Sequence, residues 1–215
     1  MYLPRHFAES RPEVLHALVR AEALGTLCTE QNGEPVADEI PFLLRPELGA
    51  HGYLQAHVAR ANPLWRTHTP GKPVLVLFRG PQAYVSPTWY PDKAEHGKVV
   101  PTWNYIVVQA LGTLQIHDDP LWVHQQISAL TVQKEGARER PWAVDDAPAD
   151  YLDAMRRGIV GIEVQVLRWT GKWKMSQNHS AERQAGVRDG LLREPQVEAG
   201  VVAQAMAETA SRSAP

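Results

Sequence analysis

Four short segments of this chain mix hydrogen-bond donors with flat aromatic rings, the combination needed to hold a polar ligand with a planar part. The first is His57-Val58-Ala59-Arg60-Ala61-Asn62-Pro63. A strand end followed by a helix start exposes free backbone N–H groups, and Arg60 adds a cationic fork suited to a phosphate dianion. The same residues would also serve as an ordinary strand-to-helix turn with a surface arginine. The second is Ser86-Pro87-Thr88-Trp89-Tyr90-Pro91, two hydroxyls beside two large rings, which fits a ligand slot or a plug for one end of a barrel. The third, Pro101-Thr102-Trp103-Asn104-Tyr105, sets a Trp and an amide at a strand entrance, as a ligand mouth or a packed edge. The fourth, Trp173-Lys174-Met175-Ser176-Gln177-Asn178, reads as exposed polar residues following a core strand.

Other chemistries lack their marks. The sequence has no Gly-rich phosphate loop, no HExxH, no paired-cysteine zinc pattern and no Gly-x-Ser-x-Gly elbow. The nine histidines are scattered, and His117 and His124 would share a helix face only if the helix began early, so no metal site is expected. No residue stands out as a committed acid or base, and the catalytic residues are unknown. The single cysteine, Cys28, sits in an apolar stretch and reads as a small hydrophobe.

The elements that must position these segments are mostly strands. Ser10 and Glu13 suggest a capping box for a first helix with Leu15, Leu18 and Val19 on one face and Gly25 as its stop. A hairpin follows, Thr26 to Glu30 and Pro35 to Leu44, turning at Asn32-Gly33. Further strands are expected over Gly52 to His57, Val74 to Phe78, Tyr105 to Ile116 and Ile159 to Trp169. Helices are expected after Asn62-Pro63, from Asp119-Pro120 towards Lys134, over Ala149 to Arg157 and after Ser180. Residues 86–96 read as a loop, Lys172 to Asn178 as polar and irregular, and the Ala-rich end as a weakly amphipathic helix from about Val197, fraying near Ser211. Strands in hairpin order with helices at the ends predict a mainly β fold, an antiparallel barrel with peripheral helices, and not a doubly wound sheet.

On these same segments the sequence resembles the PaiB-type FMN-binding negative transcriptional regulators. The opening Met1-Tyr2-Leu3-Pro4 with His6-Phe7 is similar to that family's start. The segment from His57 to Pro63 matches, as do Phe78-Arg79-Gly80-Pro81 with Tyr84-Val85-Ser86-Pro87 and Trp89-Tyr90. Val100 to Tyr105 and Lys174 to Asn178 complete the match. The resemblance runs to about Leu191, which predicts an FMN-binding split-barrel domain over 1–191 and a C-terminal helical tail over 192–215. It implies a homodimeric split β-barrel related to pyridoxamine-phosphate-oxidase-like flavoproteins, with FMN bound where two subunits meet. Carried over residue by residue, it puts Arg60 and Asn62, next to His57, at the phosphate end. Ser86, Thr88 and Trp89 line the slot for the ribityl chain and ring, Trp103 and Asn104 border it, and Lys174 and Gln177 reach in. It also implies apolar surface near these segments that is covered on dimerisation.

Composition bounds the readings that remain. The 215 residues suffice for a substantial core. A formal net charge of −2 does not support a DNA-binding role, although a small local basic patch stays open. Arg183 and Arg188 stand on rather different sides of their helix, so that helix reads as a solvated surface element. No signal-peptide core and no membrane-length apolar run are present, so a soluble, cytoplasmic protein is expected. The sequence favours a flavin-binding regulator. Two alternatives stand beside it: an FMN-dependent oxidoreductase or flavin reductase, and a haem-binding split barrel with His57 or His179 as axial ligand.

Overall fold

The structure, a computed structural model, describes residues 1–212. In chain order the elements are β1 (Ala8–Glu9), α1 (Pro12–Ala21), β2 (Leu24–Gln31), β3 (Glu34–Pro41), β4 (Leu43–Arg45), β5 (Tyr53–Ala59), α2 (Leu64–Thr67) and β6 (Pro73–Val85). After α3 (Lys93–His96) come β7 (Thr102–His117), α4 (Pro120–Glu135), α5 (Ala149–Arg157), β8 (Ile159–Lys174), α6 (Ala181–Leu191) and α7 (Val197–Arg212). Short 3-10 turns cover Arg5–Phe7, Pro87–Trp89 and Val144–Asp146. The strands hydrogen-bond in the order β3-β2-β6-β7-β8-β5-β4, with β1 on β8. The pairs β2–β3, β2–β6, β4–β5, β5–β8 and β1–β8 are antiparallel. The mainly β, antiparallel reading with peripheral helices is therefore what the chain forms. Among the described residues, no helix is long and apolar enough to cross a membrane.

The chain forms two compact units. The first comprises Met1–Leu15, Arg79–Val108 and Thr170 onward; the second comprises His16–Phe78 and Gln109–Trp169. The three long strands β6, β7 and β8 each have one end in each unit. Period-2 patterning is cleanest in β7, where Asn104, Ile106, Val108, Ala110, Gly112 and Leu114 are all buried.

In the second unit the β2–β3 hairpin turns through Asn32 (φ 54°) and Gly33 (φ 85°), the paired positive φ values of a tight hairpin turn. Its core includes the fully buried Phe42 and Phe78, edge to face with centroids 5.9 Å apart. Each ring contributes about 2–3 kcal/mol through the apolar surface it removes from water.

Several local expectations differ. The capping box is absent, because the Glu9 carboxylate instead accepts from the Arg11 main-chain N–H and Nε, each at 2.9 Å. Gly25 is no helix stop. It lies inside β2, where a Cβ would come 2.7 Å from Phe78 Cε1, so the glycine makes room for the core ring. Residues 172–174 continue β8 instead of beginning an irregular run, because Lys172 pairs in register with Ala8 of β1. Residues 86–96 contain a 3-10 turn, capped by Ser86 accepting from Thr88 N–H, and the short α3.

Gly112 of β7 leaves no room for a side chain against β8. A Cβ there would stand 2.3 Å from the carbonyl oxygen of Gln165 and 2.6 Å from Val164 Cγ1. Backbone cannot yield as a side-chain tip can. Gly112→Ala is therefore expected to lower stability by about 1–3 kcal/mol in urea unfolding; an unchanged midpoint would show that the strands separate freely.

Candidate flavin site

The first unit is organised around a buried amide. Asn104, fully buried near the start of β7, accepts from Ser176 Oγ at 3.1 Å and donates to Met206 Sδ at 3.3 Å. These bonds tie β7 to the turn after β8 and to α7. Ser176 occupies the left-handed region (φ 65°), unusual for a non-glycine, and is itself buried. The fourth segment is thus less exposed than its composition suggests: Trp173, Met175 and Ser176 are all buried.

A cavity of about 540 Å³ opens in this unit, with Tyr84, Ser86, Trp89 and Trp103 on its walls and Leu191 and Ala199 from the C-terminal helices. Tyr84 and Trp103 stand edge to face, centroids 6.0 Å apart, and remain 47% and 52% exposed. Large rings left in water beside a cavity offer a stacking surface. Glu194 and Glu198 also line it, Glu198 accepting from Gln82 N–H at 3.2 Å, and none of the lining residues is cationic. This cleft suits a planar, largely uncharged ring system and repels a phosphate.

Trp89 is set in place by helix α6. A Cβ at Gly186 would come 2.3 Å from the Trp89 carbonyl oxygen, and one at Gly190 would come 2.3 Å from indole Cδ2. The two glycines, one turn apart, let the helix close on Trp89, Gly186 against its main chain and Gly190 against its indole. Helix α6 is thus not a simply solvated element, since Val187, Gly190 and Leu191 are buried. Its N-cap, Ser180, accepts from Arg183 N–H as the sequence suggests.

Lys174 donates to Thr102 Oγ1 at 2.7 Å and to the Trp103 carbonyl at 2.5 Å, fixing the strand entrance on which Trp103 sits. Gln177 folds back onto its own turn, accepting from Met175 N–H and donating to the Trp173 carbonyl. Thr88 bonds Ser86 Oγ at 2.7 Å and does not line the cavity. The structure therefore brings Ser86, Trp89 and Trp103 together around one cavity, with Lys174 bracing it. Asn104 and Gln177 support the frame.

His57, Arg60 and Asn62 belong to the second unit. Four of the five guanidinium N–H donors of Arg60 are in use: Nε on the Arg157 carbonyl (2.8 Å), Nη1 on Asp118 (3.0 Å), and Nη2 on Asp118 (2.5 Å) and the Ile159 carbonyl (3.1 Å). This bonding holds the Asp118 carboxyl below its ordinary range. Asn62 Oδ1 accepts from Leu64 N–H at 2.9 Å, the capping role its position before Pro63 suggests, and Nδ2 donates to Asp38. His57 Nδ1 lies 2.8 Å from Gln126 Oε1.

Sequence reasoning missed Tyr84, the two seat glycines and the C-terminal wall. For the last two the spacing was visible, though not what packs against it. Gly186 and Gly190 are four apart in a helix, and Ala199, Val202, Ala203 and Met206 are buried at helical spacing along α7.

Residues 1–168 match the family described as "Putative FMN-binding domain". The chain is 30% identical to Protease synthase and sporulation protein PAI 2 of Bacillus subtilis over 96% of both chains. It is 36% identical to an uncharacterised protein of Emericella nidulans over 89% of both. Among solved structures, the FAD and heme binding protein from Mycobacterium smegmatis shares the fold at a TM-score of 0.58 and 18% identity, over 83% of this chain and 78% of that one. The flavocytochrome Anf3 from Azotobacter vinelandii does so at 0.56 and 14%, over 80% and 72%. The chain belongs to the PaiB-type FMN-binding domain family, and its antiparallel sheet with peripheral helices is the split-barrel fold of a flavoprotein with FMN as its cofactor.

Proposed function

We propose that the chain binds FMN at a homodimer interface, with the isoalloxazine ring against the aromatic cleft of the first unit, and that the bound flavin serves a regulatory output in the cytoplasm. The exposed Tyr84–Trp103 pair beside the seated Trp89 carries this reading. Ser86 supplies a hydroxyl for the ribityl chain. Lys174 acts through its hold on Trp103, and Gln177 shapes the turn that carries Lys174.

A second copy of the chain would cover the apolar surface that Tyr84, Trp103 and the 72%-exposed Val100 present. The regulatory output rests on kinship with PAI 2, named for protease synthesis and sporulation. The net charge of −2 gives no support to direct DNA contact, so DNA is left out of the proposal. Bound FMN would supply the redox chemistry, while the protein supplies ring orientation and the acidic, cation-free wall described above. Neither the oxidoreductase nor the haem alternative draws a specific observation in its favour.

Three variants test the assignment by absorbance titration with FMN. Trp103→Ala is expected to weaken binding by about 1 kcal/mol, roughly fivefold, the scale of one aromatic contact; an unchanged Kd would remove the cleft from the site. Gly190→Ala is expected to displace the Trp89 indole, shifting tryptophan emission and weakening FMN together; loss of neither would show that the seat is idle. Arg60→Ala separates two roles: a structural clamp lowers Tm, whereas a phosphate ligand loses FMN affinity at unchanged Tm. The bonding of Arg60 predicts the first result.

A further inference from the structure

A second cavity of the first unit, about 290 Å³, is bordered by Lys98, Lys174, His179 and Arg183 together with Thr102 and Ser176. Its charges are poorly balanced. Arg183 is answered by Asp92, with Nε 2.8 and 3.0 Å from the two carboxylate oxygens, and Asp92 is further engaged by His96 at 3.1 Å. Lys174 meets only neutral acceptors, Thr102 Oγ1 and the Trp103 carbonyl. Two residues away along β8, Lys172 is 8% exposed, 3.3 Å from the Tyr2 carbonyl and 5.2 Å from the Tyr105 ring centroid. Among the described residues, neither ammonium has a carboxylate partner.

Lys174 is only half-buried, but an ammonium partly withdrawn from water and facing neutral acceptors is favoured by an added negative charge. The hydroxyl of Thr102 accepts from Lys174, which leaves its own proton free to donate. The side chains of Lys98 and His179 border the cavity and have no hydrogen-bond partner among the described residues. The volume falls just below the span of whole-cofactor pockets, about 300–1,000 Å³. It exceeds several times the roughly 30 Å³ share of one water. The space fits a charged group and its residual hydration, not an entire flavin.

We propose that this cavity is a binding site for a phosphate dianion, with Lys98, Lys174, His179 and the Thr102 hydroxyl as its donors. Burial and the nearby Lys172 push the Lys174 ammonium below the usual lysine range. Burial, with Arg183 and Lys174 close by, likewise pushes the His179 imidazole down, against a smaller opposing pull from Asp92. Both displacements are what an unbalanced cationic site produces and a bound dianion relieves. The dianion could belong to the cofactor, in which case the inference rests on the flavin reading above, or to a second ligand carrying the same group.

The test uses the full chain and inorganic phosphate, with chloride at equal ionic strength as the control. Phosphate is expected to raise Tm above chloride. Lys98→Ala and His179→Ala, which remove no hydrogen bond of the fold, are each expected to weaken phosphate binding by about tenfold. Phosphate no better than chloride, or affinity unchanged in both variants, would overturn the site. Parallel titrations with riboflavin and FMN assign the source. If His179→Ala weakens FMN and leaves riboflavin unchanged, the cavity holds the cofactor's phosphate. If FMN affinity holds while inorganic phosphate is lost, the site serves a second phosphorylated ligand. Riboflavin reads the aromatic cleft alone, so its failure to bind wild-type protein would fault the flavin reading without touching the phosphate result.

Discussion

The first unit depends on one buried amide. Asn104 has no access to water, so each unmet bond of its side chain would cost about 1–3 kcal/mol. It meets this constraint by drawing in Ser176 on one side and Met206 on the other. Ser176 adopts a left-handed conformation in the same turn, and Lys174 two residues earlier reaches Thr102 and Trp103. The position of Trp103 at the cleft, the course of α7 along its wall and the cation-rich turn thus share a single anchor. A polar network of this kind specifies geometry when all its members are satisfied, which is why an amide stands where period-2 patterning alone would place an aliphatic residue.

The unit separates two chemistries. One cavity is walled by rings and two glutamates, and the other by cations and hydroxyls. FMN is itself a planar ring joined to a phosphate through a polar chain, so a protein that holds it needs both kinds of wall. Arg60, the most obvious cation of the first segment, is engaged within the second unit. With four hydrogen bonds to Asp118, Arg157 and Ile159, it closes the end of β5 against β8 inside the second unit.

Much of the fold was legible in the sequence. The strand over Tyr105 to Ile116, the Asn32-Gly33 turn and the Asp119 and Ser180 caps act through local chemistry, and each appears where the residues indicate. The site was legible only as a set of segments. Ser86, Trp89 and Trp103 do meet at one cavity, but the bonding of Arg60 and the burial of Asn104 depend on partners 58 and 72 residues away, which no local pattern reveals. The glycine seat of Trp89 failed to register for a related reason: a glycine in a helix signals weakness until the residue packed against it is known.

The central claim is that this chain carries FMN as a homodimer. Sedimentation velocity followed at a wavelength absorbed by oxidised flavin alone tests both parts in one run. The flavin signal is expected to move with a species of twice the 24.0 kDa chain mass. Flavin left behind at the rate of the free molecule, while the protein sediments without it, would contradict the account.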